Sequence, residues 1–208
     1  MGVALFCSAG KLGWLAAWAA LAVMAAWIIG TAIIIVHTNP SLITERLGPR
    51  KGAKRWDIAI LGLVGITQLV RYTIAGFDQR FGWPGGFPIW AQLVAWLVCA
   101  LGYALVLWAT YSNAFFSQIV RIQPERGHTV ASDGPYRSVR HPAYLGAILY
   151  ELAVPILLDS WWALIASGVS ALLLILRTDL EDRTLQAELD GYAEYTHQMR
   201  FRLLPGVW

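Results

Sequence analysis

The chain has 208 residues, 57% of them hydrophobic and only 14% charged. A soluble domain carries about 25% charged residues, so the composition excludes an ordinary soluble protein and places one domain's length of chain in a membrane. The net charge of +3 is gathered in loops, a pattern that orients membrane helices and argues against nucleic acid as a partner.

Leu12–Val36 carries no charge after Lys11 and is long enough to span a bilayer. Its apolar run is too long for a cleaved signal, and no small-residue cleavage site follows, so it reads as a permanent helix. His37–Asp57 reads as a loop. Arg46, Arg50, Lys51, Lys54 and Arg55 outnumber Glu45 and Asp57 there, which puts the loop on the cytoplasmic side. Ile58–Phe77 is a second span, interrupted by Gln68 and Arg71. Arg71 reads as snorkelling toward the far interface, with burial against protein as the alternative. Asp78–Phe87 is a turn-rich outer loop, and Pro88–Tyr111 is a third span. Trp14, Trp83, Trp90, Trp161 and Trp162 sit at segment ends, where an interfacial belt belongs.

Ser112–His141 is polar and holds Arg121, Arg126, Arg137 and Arg140. Its charge again indicates the cytoplasmic side, in agreement with three preceding spans. Within Gly127–Gly146 (GHTVASDGPYRSVRHPAYLG), Gly134-Pro135 reads as a turn. His141-Pro142 reads as a helix start, because proline's missing N–H costs nothing at the first helical position. The free N–H groups of such a helix end suit an anionic group. The plainer reading is that these arginines only anchor a loop at lipid headgroups.

Pro142–Leu158 and Trp161–Leu176 form a tight hairpin through Asp159-Ser160. Trp161–Leu176 would extend roughly 24 Å, short of a hydrocarbon core of about 30 Å. Glu151 lies at membrane depth, either functional or a structural partner to a neighbouring helix. Arg177–Tyr195 continues the last helix into the cytoplasm, with Leu176, Leu180, Leu185 and Leu189 at helical spacing and Gly191 as a stop. Arg177 and Glu181 have the spacing of an ion pair on a solvated face. Phe201–Trp208 is apolar again and returns to the interface. The expected fold is an all-α integral membrane protein of about five transmembrane helices, with a short C-terminal hairpin and a cytosolic helix extension.

GPYRSVRHPAYLG (134–146) and RTDLEDRTLQAELDGYAEY (177–195), closing with RLLPGVW (202–208), resemble the isoprenylcysteine carboxyl methyltransferase family, and more loosely the phospholipid N-methyltransferases. The resemblance covers the C-terminal 95 residues or so. It divides a single membrane methyltransferase domain into three N-terminal spans (1–111) and a cofactor-binding half (112–208). It implies S-adenosylmethionine entering from the cytoplasm and a lipophilic acceptor arriving from the bilayer, in a bacterial-type inner or plasma membrane. Carried over, the cofactor contacts are His128, Thr129, Val130, Ala131, Tyr136, His141, Pro142, Ala143, Tyr144 and Glu181, with Arg121 at a more variable upstream position. Arg177 matches an arginine at the acceptor site. Asp182 stands where many relatives have glutamate.

The chemistry agrees with these residue types. Methyl transfer from a sulfonium is an in-line displacement, so the enzyme must align the reactants and exclude water, and need supply no nucleophile. A carboxylate acceptor is already ionised at neutral pH and an arginine steers it, whereas an amine needs a base and is repelled by the arginine. O-methylation of a carboxylate is therefore the favoured expectation. N-methylation of a lipid amine, an NADPH-dependent sterol-type reductase and a small transporter are the alternatives. A transporter would want an inverted repeat or many polar intramembrane residues, and a reductase an extra basic cluster for the 2′-phosphate.

Overall fold

A computed structural model describes residues 1–48, 52–83 and 86–208, which form eight α-helices and no strand. Arg50 and Lys51 of the first basic loop, and Pro84 and Gly85 of the outer loop, lie outside the described residues. The helices are α1 (Gly2–Ala9), α2 (Leu15–Thr38), α3 (Ser41–Leu47), α4 (Arg55–Phe81), α5 (Ile89–Ser112), α6 (Pro142–Leu157), α7 (Trp161–Glu188) and α8 (Tyr192–Gln198). Four of them, α2, α4, α5 and α7, are long and apolar enough to cross a membrane. With the shorter apolar α6, they make the expected multi-spanning all-α integral membrane protein.

Several expectations need correction. The first basic loop contains a helix, α3, and another short helix, α1, precedes the first span. The short member of the C-terminal hairpin is α6, at 16 residues, while α7 runs unbroken for 28. The extension stops at Glu188, and Gly191, at φ 79°, starts the separate helix α8. Trp14 is buried at the N-cap of α2 and is not part of an interfacial belt.

α6 packs against α5 and α7, α4 against α7, α1 against α4, and α2 against α5. Two glycines set the closest of these approaches. A Cβ on Gly146 would lie 2.3 Å from the carbonyl oxygen of Gly102, and one on Gly102 would lie 2.6 Å from that of Gly146. The backbones of α5 and α6 therefore touch there, as small residues allow between membrane helices.

Arg71 does not snorkel. It is fully buried in α4 and donates to Glu151 of α6 through Nη1, to Tyr72 Oη at 2.8 Å and to Ser167 Oγ at 3.3 Å. Gln68 Nε2 donates to the other Glu151 oxygen at 2.9 Å. Neither charge is tolerable alone at this depth; paired and hydrogen-bonded, they tie three helices together.

Candidate active site

The chain between α5 and α6 folds back over one end of the bundle, held by its own polar groups. Arg121 pairs with Glu45 at 2.5 Å and with Glu125 at 2.5 Å. Gln123 donates to the carbonyl of Phe115 at 2.9 Å, and Arg126 donates to that of Ala114 at 2.9 Å. Single 3₁₀ turns at Pro124–Arg126 and Gly134–Arg137 bend the path, and Gly134, at φ 59°, sits against Ser112 and Trp108 where no side chain fits.

The start of α6 is clamped to the tail. The N–H groups of Arg140 and His141 donate to the carbonyls of Phe201 and Arg202, each at 2.9 Å. Beneath them Asp182 of α7 is fully buried. It accepts from Arg140 Nε at 2.8 Å, Arg202 Nε at 2.8 Å, Tyr192 Oη at 2.9 Å and Gln186 Nε2 at 2.8 Å, and faces His141 Nε2 at 3.1 Å. The carboxylate beside the N-terminus of α6 is thus the chain's own, and it joins α6, α7, α8 and the tail. Phe201–Trp208 closes this junction, a contact the sequence did not announce.

The two stretches singled out by sequence meet around a cavity of about 710 Å³. Arg121, His128, Thr129, Val130, Ala131, Tyr136, His141, Ala143, Tyr144, Arg177 and Glu181 all line it. Pro142 does not: it is buried at the first position of α6. Tyr144 Oη donates to Glu181 at 2.5 Å, joining the start of α6 to α7. The His128 ring lies 4.6 Å from that of Phe115, and burial together with the nearby Arg126 charge lowers its pKa from the ordinary 6.5. His128 is therefore neutral at pH 7. Tyr195, which hydrogen-bonds the Tyr136 carbonyl at 2.7 Å, has its phenol pushed up to about 12 by burial.

Arg177 and Glu181 do not pair with each other. Arg177 Nε donates to Asp57 of α4 at 2.6 Å, and its Nη2 donates to the Gln118 carbonyl at 3.0 Å. Asp57 is fully buried, and its other oxygen accepts the Val120 N–H at 2.8 Å. Nη1 of Arg177 bonds to no described residue, and the guanidinium lies 5.3 Å from the Tyr144 ring centroid. Asp57 is a site residue that sequence reasoning placed only in a basic loop; its acidic charge among five bases was the available signal.

The lining fits an S-adenosylmethionine-sized ligand. The volume is that of a small-molecule site. The backbone groups of Thr129, Val130 and Ala131 make no hydrogen bond to other described residues, so they are free to pair with a ligand's edge. Glu181 supplies a carboxylate for a ligand's ammonium or hydroxyls, and Tyr136, Tyr144, Tyr192 and Tyr195 supply ring surface, favourable to a sulfonium.

The chain is similar to the uncharacterized protein YpbQ of Bacillus subtilis (strain 168), at 26% identity over 147 residues. The similar part covers 70% of this chain and 66% of that protein. Residues 93–187, running from α5 through nearly all of α7, match the model of the isoprenylcysteine carboxyl methyltransferase (ICMT) family. Over that span, somewhat under half of its length, the chain is similar to that family.

Proposed function

We propose that this protein is an S-adenosylmethionine-dependent membrane methyltransferase that esterifies the carboxylate of a lipophilic acceptor, with its active site on the cytoplasmic side of a bacterial-type inner membrane. One observation carries the reading. Along α7 the cavity is lined in turn by Leu174, Arg177, Glu181 and Leu185, so an arginine with one nitrogen bonded to no described residue stands between an apolar compartment and a polar one. The apolar compartment, with Ile58, Leu61, Val64 and Val106, suits a lipid chain. The polar one, with His128–Ala131 and Glu181, suits the methyl donor.

When bound, the cofactor supplies an electrophilic methyl group on a sulfonium. The chain's contribution is positional. Glu181 and the backbone of Thr129–Ala131 hold the donor, with Tyr144 fixing the Glu181 carboxylate. Arg177, braced from behind by Asp57 and the Gln118 carbonyl, receives the acceptor carboxylate on Nη1. The surrounding rings exclude water, which strengthens the arginine's hold. No general base is required, because the acceptor is already ionised.

The test is methyl transfer by the purified full chain in lipid nanodiscs, with tritiated S-adenosylmethionine and a panel of prenyl-cysteine, fatty acids and lipid amines. The expected product is a base-labile methyl ester. A base-stable methylamine product overturns the carboxylate assignment in favour of a lipid amine.

A further inference from the structure

The cavity does not end in hydrocarbon. Tyr144, Ala147 and Glu151 follow at i, i+3 and i+7 on the face of α6 that lines it. Helical rise puts Glu151 about 10 Å deeper than Tyr144. Opposite, α4 contributes Ile58, Leu61, Gly62 and, deepest, Gln68. The walls between are apolar, but Gln68, Glu151, Tyr103 and Tyr150 line the deep end.

The hydrogen bonds at this floor leave acceptor positions open on Gln68 and Glu151, while Nε1 of Trp27, which also lines the cavity, is a buried donor paired with no described residue. Glu151 Oε1 accepts from Gln68 Nε2 at 2.9 Å, and Oε2 accepts from Arg71. Each carboxylate oxygen keeps a further lone pair. Gln68 Oε1 accepts from no described residue, since the amide's single bond is the one it donates. The surrounding hydrocarbon offers no water to satisfy spare acceptors, so their partners must come through the cavity. A structural clasp between Arg71 and Glu151 would need neither the Gln68 amide nor an opening onto the cavity.

Building on the methyltransferase reading, we infer that Gln68 and Glu151 recognise a hydrogen-bond donor, a hydroxyl or an amide N–H, carried by the buried part of the acceptor about two helical turns from its carboxylate. The acceptor is then an amphiphile with polar groups at two depths. A plain alkyl or prenyl chain leaves the floor unpaired, and a site built around a substrate hydroxyl discriminates strongly against the analogue that lacks it.

The experiment compares ω-hydroxy fatty acids of graded length with plain fatty acids of the same lengths. Two readouts are taken: methyl-ester formation, and thermal stabilisation of the full chain in the presence of S-adenosylhomocysteine. The expected result is a preference for the hydroxylated acid of about 10-fold or more in kcat/KM, peaking at one chain length, with the ratio falling toward one in Gln68→Leu. Esters formed without a length-dependent preference in the wild-type chain overturn the inference and leave the methyltransferase reading intact. A hydroxyl preference in stabilisation without any methyl transfer keeps the polar floor and overturns the methyltransferase reading. Neither preference nor transfer overturns both.

Discussion

Arg177 reaches the cavity with two of its three nitrogens already committed, Nε to Asp57 and Nη2 to the Gln118 carbonyl. That arrangement removes its freedom to wander and leaves Nη1 for a ligand. If the arginine meets the acceptor and not the cofactor, Arg177→Ala should lower kcat by about 10²–10³-fold, while calorimetric affinity for S-adenosylhomocysteine stays nearly constant. Equal loss of both would move Arg177 into the cofactor site. Asp57→Asn keeps the shape and the bond from Val120 but weakens the brace. It should cost about 10-fold in kcat through misplacement of Arg177, again with cofactor affinity retained, and an unchanged kcat would remove Asp57 from the mechanism.

His128 gives a pH signature. Its pKa is lowered from 6.5, by burial first and by Arg126 next. Well above pH 6.5 the imidazole is neutral whether the chain is folded or unfolded, and it contributes no slope. Below 6.5 the unfolded chain takes the proton first, so stability falls with pH until the folded protein is protonated as well. Thermal unfolding midpoints should therefore drop as pH falls below 6.5, and less so in His128→Gln. Identical profiles for the two proteins would contradict the placement. His128, Tyr144 and Glu181 were legible from sequence because they lie within ordered motifs. The Asp57–Arg177 bond was not, since its partners are 120 residues apart and a local i,i+4 pairing with Glu181 satisfied the same pattern.

At the scale of elements, the α5–α6 contact fixes where the C-terminal half stands. Gly146→Ala would drive a Cβ into the Gly102 carbonyl oxygen, which is backbone and cannot turn aside. The two helices must separate, at about 1–3 kcal/mol, and methyl transfer should fall with the displaced Tyr144. Gly168→Ala on α7 meets nothing within 4 Å and should be neutral or slightly stabilising, by up to about 1 kcal/mol. Thermal melts of both variants check the pair, and equal loss would contradict the close-approach argument. The long helices were readable because an uncharged run of some 20 residues has one outcome in a bilayer. The short α1 and α3 were not, because helices of 8 and 7 residues owe their existence to packing and not to propensity. For α1 that packing is visible: a Cβ on Gly76 of α4 would strike Ser8 and the Leu5 carbonyl.

For the whole molecule, two buried charge centres divide the labour. Arg71 with Glu151 ties the helices at membrane depth, and Asp182 gathers α6, α7, α8 and the tail at the polar end. The cavity runs between them. Sequence flagged Glu151 and Asp182 as polar residues awaiting a role but could not assign partners, because all of them except Gln186, on Asp182's own helix, come from other helices, the segment before α6 or the tail. It also misjudged Arg71, whose place near a span end fits snorkelling equally well until the position of Glu151 is known. The central claim is that the stretch before α6 and the extension of α7 build one pocket for a sulfonium methyl donor. Calorimetric titration of the purified full chain with S-adenosylhomocysteine tests it most directly. The account predicts saturable binding at one site per chain, weakened by about 10-fold or more in Glu181→Ala through loss of a charge-assisted hydrogen bond, and no comparable binding of NADPH. No binding of S-adenosylhomocysteine, or an affinity untouched in Glu181→Ala, would contradict it.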